Sequence, residues 1–227
     1  MRLIKFLVPV VLTALLGFNA YAQDKKVEFG IMAGYGYTMP KLKDSRSIKN
    51  PAINSSNLNG FHAGPVLKFN FSEKVGLQTG LLYNYFSGVD LLSSSALKKT
   101  GVWNQNRIKL TAFDLPLKIM YSMPLADEFY LQIFAGPNFN YSINKVTDYE
   151  AYSDNKLNVN LSKKGTNIYQ APSDFNSLDF QMGAGIGVQF MGLFLRGGYD
   201  WGILNRTTLT DAKLRSNDLK VSLGYTF

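Results

Sequence analysis

Ser177 to Phe190 reads SLDFQMGAGIGVQF, and the stretch alternates. Leu178, Phe180, Met182, Ala184, Ile186, Val188 and Phe190 share one side, while Asp179, Gln181, Gly183, Gly185, Gly187 and Gln189 share the other. Successive side chains of a β-strand point to opposite faces, so this is one strand with an oily face and a polar, glycine-rich face. Which face meets water decides the fold. An oily face turned inward makes a soluble barrel or sandwich; an oily face turned outward requires lipid as its solvent.

Seven further stretches alternate in the same way: Val27–Thr38, Leu58–Phe71, Val75–Ser87, Arg107–Tyr121, Phe129–Ile143, Leu193–Leu204 and Asp218–Phe227. In the fourth the apolar phase changes near Ala112 and Phe113, which predicts a β-bulge there. Pro116 in the same stretch is unusual for a paired strand. The connections alternate in length. SEK, MPLADE and Met191-Gly192 are tight turns, whereas residues 39–57, 88–106, 144–176 and 205–217 are long. Strict alternation of short and long connections is the mark of an outer-membrane barrel, short on the periplasmic side and long outside. The sequence therefore predicts an all-β fold, an eight-stranded antiparallel up-and-down transmembrane β-barrel, with both ends of the chain on the periplasmic side.

The start of the chain agrees with export. MRLIKFLVPVVLTALLGFNAYAQ has Arg2 and Lys5, then an apolar run too short to cross a bilayer comfortably, then Ala20-Tyr21-Ala22. We read residues 1–22 as a cleaved signal peptide and residues 23–227 as the barrel domain. Cysteine is absent from the 227 residues, so stability must come from backbone pairing and burial. The lack of a long apolar run after the leader carries no weight, because only alternate residues of a membrane strand touch lipid.

The polar faces hold Glu28, Lys68, Asp114, Lys118, Asp179, Arg196, Asp200 and Lys220, four acids and four bases. Such balance suits a closed interior network in which charges must pair. Glycines on the same faces suit a crowded lumen. Along the oily faces Tyr35, Tyr83, Tyr141 and Trp201 fall toward the long loops, and Phe129, Phe190 and Phe227 toward the short turns, bracketing an aliphatic band. Two aromatic belts match the two membrane interfaces.

The leader, the eight alternating stretches, LDFQMGAGIGVQF with its two-residue turn into LFLRGGYDWGIL, and the closing LKVSLGYTF resemble the small outer-membrane β-barrel family common in Bacteroidetes, described as porin-family or PorT-like. In architecture the chain also resembles the OmpA and OmpX barrels. The ending with Leu223, Tyr225 and Phe227 is similar to the signal read by the outer-membrane assembly machinery, which the resemblance implies as a partner. It further implies a monomer in the cell outer membrane with a structural or interaction role in envelope integrity, adhesion or assistance to secretion.

Chemistry finds little support in the residues. His62 is the one histidine, and nothing in the spacing selects a serine and an acid to complete a nucleophilic site. No Cys, His or acidic cluster has metal-ligand spacing, and GYGYT and GAGIG lack the helix that a phosphate loop requires. The sequence thus predicts no enzyme, no metal and no cofactor. Nucleic acid is also an unsuitable partner, because the aromatics follow a strand period and no basic helix appears. An eight-stranded lumen is filled by its own side chains, which disfavours a wide pore and leaves a narrow solute channel or a lipid-modifying enzyme as the alternatives.

The long loops remain. The formal charge is +8, or +6 without Arg2 and Lys5, and the four loops carry +3, +1, 0 and +2, which accounts for all of it. Lys41, Lys43, Arg46, Lys49, Arg206 and Arg215 are the residues expected to meet lipopolysaccharide phosphates. In the third loop, KLNVNLSKK with Tyr149, Tyr152 and Tyr169 predicts a hairpin above the membrane whose edge and aromatic surface face a protein partner.

Overall fold

A computed structural model describes residues 26–44, 56–93, 98–170, 173–210 and 212–227. The leader therefore lies outside the described residues, as do Arg46 and Lys49. Ten strands form one sheet: β1 (Val27–Asp44), β2 (Leu58–Asn70), β3 (Val75–Gly80), β4 (Leu82–Leu91), β5 (Trp103–Ala126), β6 (Phe129–Ser153), β7 (Lys156–Leu157), β8 (Leu178–Phe190), β9 (Leu193–Gly202) and β10 (Ala212–Thr226). Each neighbour is antiparallel, and β1 pairs with both β2 and β10, so the sheet closes on itself.

The ring has eight staves. β3 and β4 are halves of one stave, since both pair with β2 and with β5 in unbroken register. The break at Leu81 has a chemical cause: its amide donates to the Pro65 carbonyl at 3.1 Å, and Pro65 has no N–H to return the bond. Pro116 sits at the matching point of β5, between Leu117, opposite Thr79, and Asp114, opposite Leu82. β7 is a two-residue stub on the upper end of β6.

The opening question is answered on β8. Leu178, Met182, Ile186 and Phe190 are 41–55 % exposed, whereas Asp179, Gln181 and Gln189 are buried. The oily face points out and the polar face fills the lumen. All the belt aromatics named above lie on the outer face, where Phe61, Tyr83 and Phe113 form a chain of ring contacts at 6.5 and 5.8 Å. At the other rim Phe129 pairs with Phe190, and the Phe227 amide donates to the Phe29 carbonyl.

Two expectations need correction. The first is the bulge in the fourth stave. Ile108, Leu110, Ala112 and Asp114 all point inward on a β5 that keeps its alternation. The register shift at Thr111/Ala112 belongs to the partner strand, where Ile143 of β6 is the extra residue. The apparent change of phase came from apolar residues turned into the lumen, since Ile108 and Leu110 pack there with Leu58 and Phe86.

The second concerns strand length. β5 and β6 continue past the membrane at the upper end and meet in a turn of Asp127 and Glu128 at the lower end, so MPLADE is mostly strand. Glu128 and Met191 adopt positive φ of 60° and 53° at the tight turns, a backbone region uncommon for non-glycine residues that reverses the chain within a few residues.

Candidate functional site: the filled lumen and the extracellular crown

The lumen is a polar network built from alternate residues of every stave. Lys118 of β5 donates to Asp200 of β9 at 2.5 Å and to the Gly136 carbonyl at 2.8 Å. Lys220 of β10 donates to Asp114, which also accepts from Asn140 at 2.7 Å, and lies 3.9 Å from Asp200. These four ionic side chains come from β5, β9 and β10; each would be costly to bury alone, and shared partners offset that cost. Arg196 donates to Gln132 at 3.0 Å and to Gln78, with its guanidinium 4.0 Å from the Phe194 ring. Near the periplasmic mouth Glu28 accepts from Lys68 at 3.3 Å and from Asn70 at 2.6 Å.

Seven of the eight predicted network residues are thus brought into hydrogen bonds or ion pairs. Asp179 is the exception: it is fully buried but joins none of the ion pairs among the described residues. Asp218 is a further acid in the lumen and accepts from Gln181 at 2.9 Å. Its position two before Lys220 was the available signal, and reading the last stave as starting at that residue hid it.

Glycine makes room where bulky groups cross the lumen. A Cβ at Gly185 would strike the Phe134 ring, and one at Gly224 would strike Phe194. Among the described residues, the middle of the barrel holds a cavity of about 70 Å³ lined by Met32, Asp114, Lys118, Arg196, Asp200 and Lys220. That is room for a couple of waters, well short of a solute path. A wider vestibule of about 550 Å³ opens below it at the periplasmic mouth beside Glu28, Lys68 and Glu73.

His62 does find a serine. Its Nε2 lies 2.8 Å from Ser222 Oγ, yet both residues are buried in the lumen, and Nδ1 has no hydrogen-bond partner, acid or otherwise. The arrangement lacks the acid that orients a catalytic imidazole and the access that a lipid substrate needs. No group of three or more His, Cys, Asp or Glu with metal-binding geometry occurs among the described residues.

Above the membrane the crown has its own chemistry. The upper ends of β5 and β6 form a ribbon, flanked by β4 on the β5 side and by residues 156–168 on the β6 side, in which Arg107 donates to Glu150 at 2.6 Å and Lys109 to Asp148 at 2.9 Å. The Arg107 hydrogen bond, with help from Gln105, holds the Glu150 carboxyl below its ordinary value against the opposing effect of burial. Burial alone would raise Asp148, but hydrogen bonds from Lys109 and the Gly165 amide more than offset this and leave it low. Trp103 stacks flat on Tyr152 at 3.8 Å, and Lys98 lies 4.9 Å over the Trp103 ring.

The third loop does rise as a hairpin: β6 turns at Asp154 and Asn155, both at positive φ, into the start of KLNVNLSKK. Only Lys156 and Leu157 pair as strand, and the chain then descends along β6, with Lys163 exchanging backbone bonds with Tyr149 and the Ile168 amide donating to the Lys145 carbonyl. The returning arm of this hairpin therefore covers the upper edge of β6. Tyr169 turns inward onto the Leu58, Phe86, Ile108 and Leu110 cluster and accepts a hydrogen bond from Arg206 at 2.6 Å. Arg206 is itself buried and also donates to Ser142, so it closes the lumen and is not available to lipopolysaccharide. Leu157, Val159 and Leu161 are exposed on the crown, Val159 at 76 %.

Residues 21–207 match the family model described as outer membrane protein beta-barrel domain. The chain belongs to this outer-membrane β-barrel family. Family and closed sheet together establish a small outer-membrane barrel that crosses the membrane with strands. No curated protein sequence matches the chain. Among solved structures, the attachment invasion locus protein Ail of Yersinia pestis is similar at 12 % identity, with 89 % of this chain and 99 % of that chain covered and a TM-score of 0.37. Neisserial surface protein A matches at 10 % identity, over 88 % and 97 % of the chains, with a TM-score of 0.43. The N-terminal barrel of Pseudomonas aeruginosa OprF matches at 9 % identity, over 88 % and 97 %, with a TM-score of 0.32.

Proposed function

We propose that this outer-membrane barrel is a non-conducting scaffold whose functional surface is the extracellular crown, used for interaction with a protein partner in adhesion, envelope integrity or assistance to secretion. The observation that carries the reading is the contrast between a lumen crossed by the Lys118–Asp200 and Lys220–Asp114 pairs and a β5–β6 ribbon that continues from Tyr141 to Ser153. Twelve residues of extended chain reach roughly 40 Å along the strand, far more than anchoring requires. The Trp103–Tyr152 stack and exposed Leu157, Val159 and Leu161 place apolar surface where no lipid covers it. Apolar groups in water at the end of a rigid support suit recognition of another macromolecule.

Two measurements test the reading. Purified barrel inserted in planar bilayers gives no discrete conductance step, and a reproducible step would overturn the scaffold in favour of a narrow channel. A photo-crosslinking amino acid at Leu161 in intact cells forms adducts that the same group at lumen-facing Gln181 does not. Equal labelling at the two positions would remove the crown as the interaction surface.

A further inference from the structure

The seam that closes the barrel carries a charge pattern unlike any other on the ring. Above Tyr37↔Leu219, the pairs of β1 and β10 are Met39↔Asn217, Lys41↔Arg215 and Lys43↔Lys213. Odd-numbered positions form the outer face of both strands: Ile31, Tyr35, Leu219, Val221 and Leu223 are exposed, while Met32, Thr38, Leu214 and Asp218 are buried. Lys41, Lys43, Lys213 and Arg215 are all exposed on that face. Cross-strand Cβ atoms are about 5 Å apart and alternate residues of a strand about 7 Å apart, so four cations stand at the corners of one small quadrilateral.

Like charges directly opposite one another destabilise a sheet. On the β5–β6 ribbon the chain avoids this by pairing Arg107 with Glu150 and Lys109 with Asp148. On the seam none of the four cations joins an ion pair among the described residues. Asp44 and Asp211 are the acids nearest to these cations in sequence.

Height selects the ligand. Lys41 lies four residues beyond Tyr37, about 13 Å along the strand, or about 10 Å above the aromatic belt once strand tilt is included. The polar layer of a leaflet begins at that belt and is on the order of 6 Å thick, and long basic side chains bend toward it. Arginine offers a planar fork and lysine a mobile point charge, a combination that grips tetrahedral oxyanions.

We propose that Lys41, Lys43, Lys213 and Arg215 form a binding site for the phosphorylated headgroup of an outer-leaflet lipid, which bridges β1 and β10 at the top of the seam. Pairing register, not loop membership, selects the set: it brings in Lys213, which is exposed, and leaves out Arg206, which is buried. The site requires the outer-membrane placement but not the role proposed for the crown. Crown crosslinking and lipid binding therefore fail independently.

The test uses barrel purified from membranes into neutral maltoside micelles, titrated with bis-phosphorylated lipid A, with the same glycolipid lacking phosphates, and with millimolar inorganic phosphate. The phosphorylated lipid binds in native mass spectrometry and raises the temperature of the heat-modifiable gel shift; the phosphate-free lipid does neither. Replacing all four cations (K41Q, K43Q, K213Q, R215Q) weakens binding several hundredfold, about fivefold per cation. In lipid-free micelles that variant is at least as heat-stable as wild type, because the repulsion is gone. The pairs K41Q/K43Q and K213Q/R215Q each give an intermediate loss and serve if the fourfold variant does not fold. Affinity within threefold of wild type in the fourfold variant, or equal binding of the phosphate-free lipid, overturns the site. Equal stabilisation by inorganic phosphate overturns the lipid in favour of a free anion.

Discussion

The lumen and the crown use the same residue types to opposite ends. Inside, Lys220, Asp114, Lys118 and Asp200 are almost wholly withdrawn from water and share partners across the barrel. Outside, the Arg107 and Lys109 side chains keep 36 % and 42 % of their surface exposed and each meets one carboxylate on the neighbouring strand. A buried charge without its partner is expensive, while an exposed pair contributes little. The lumen pairs therefore act as specifications that hold β5, β9 and β10 in one register across the barrel, and the crown pairs act as trim on a ribbon already held by its backbone.

The largest test of that contrast is Lys220→Met, which leaves Asp114 without a cation inside the barrel while Asp200 keeps Lys118. It should cost about 3–5 kcal/mol in urea unfolding of the refolded barrel. Lys118→Met with Asp200→Leu, which removes both members of a pair, should cost much less than either change alone; equal losses would mean the lumen is wet enough to screen single charges. Next comes Ile186→Arg on the lipid face, about 2–4 kcal/mol near the bilayer midplane, read in the same unfolding assay in vesicles. Ile108→Ala, which empties part of the apolar layer under Tyr169, should cost a similar 2–4 kcal/mol. The smallest effect is Lys109→Gln on the crown, below about 1 kcal/mol.

Acid sharpens the same comparison. Asp148 and Glu150 both have depressed values in the folded crown. Their contribution is complete above the ordinary carboxylate range near about 4 and is lost as pH falls through the depressed values. Hydrogen exchange should show the upper halves of β5 and β6 losing protection in that acid window, while amides of the membrane-spanning ring stay protected. Simultaneous loss in both regions would show that the crown ion pairs are coupled to the barrel.

Much of this architecture is legible in alternation alone. The face of β8, the eight-stave count and the short turns follow from side-chain period and connection length, because lipid imposes one rule on every outward position. The rule lapses above the membrane, which is why the sequence predicts loops where β1, β5, β6 and β10 continue as strand. It also lapses where the lumen turns apolar, and Ile108 and Leu110 then imitate a bulge. The site residues divide in the same way. Lys118, Asp200, Lys220 and Asp114 declare themselves by facing Gly and Gln on alternating strands, whereas the buried place of Arg206 depends on Tyr169 and Ser142, contacts that only the folded crown creates.

The ring is closed by its first and last strands, with Gly30 opposite Thr226. Nearly two hundred residues separate these partners, so the seam is the longest-range contact in the chain and the slowest to find by diffusion. Until β10 is in place, β1 presents an unpaired edge with every second side chain oily, the kind of surface that recruits other strands. A chain folded only as far as β9 therefore carries a sticky edge, and the rate at which the seam zips shut sets how long that edge stays open to other strands.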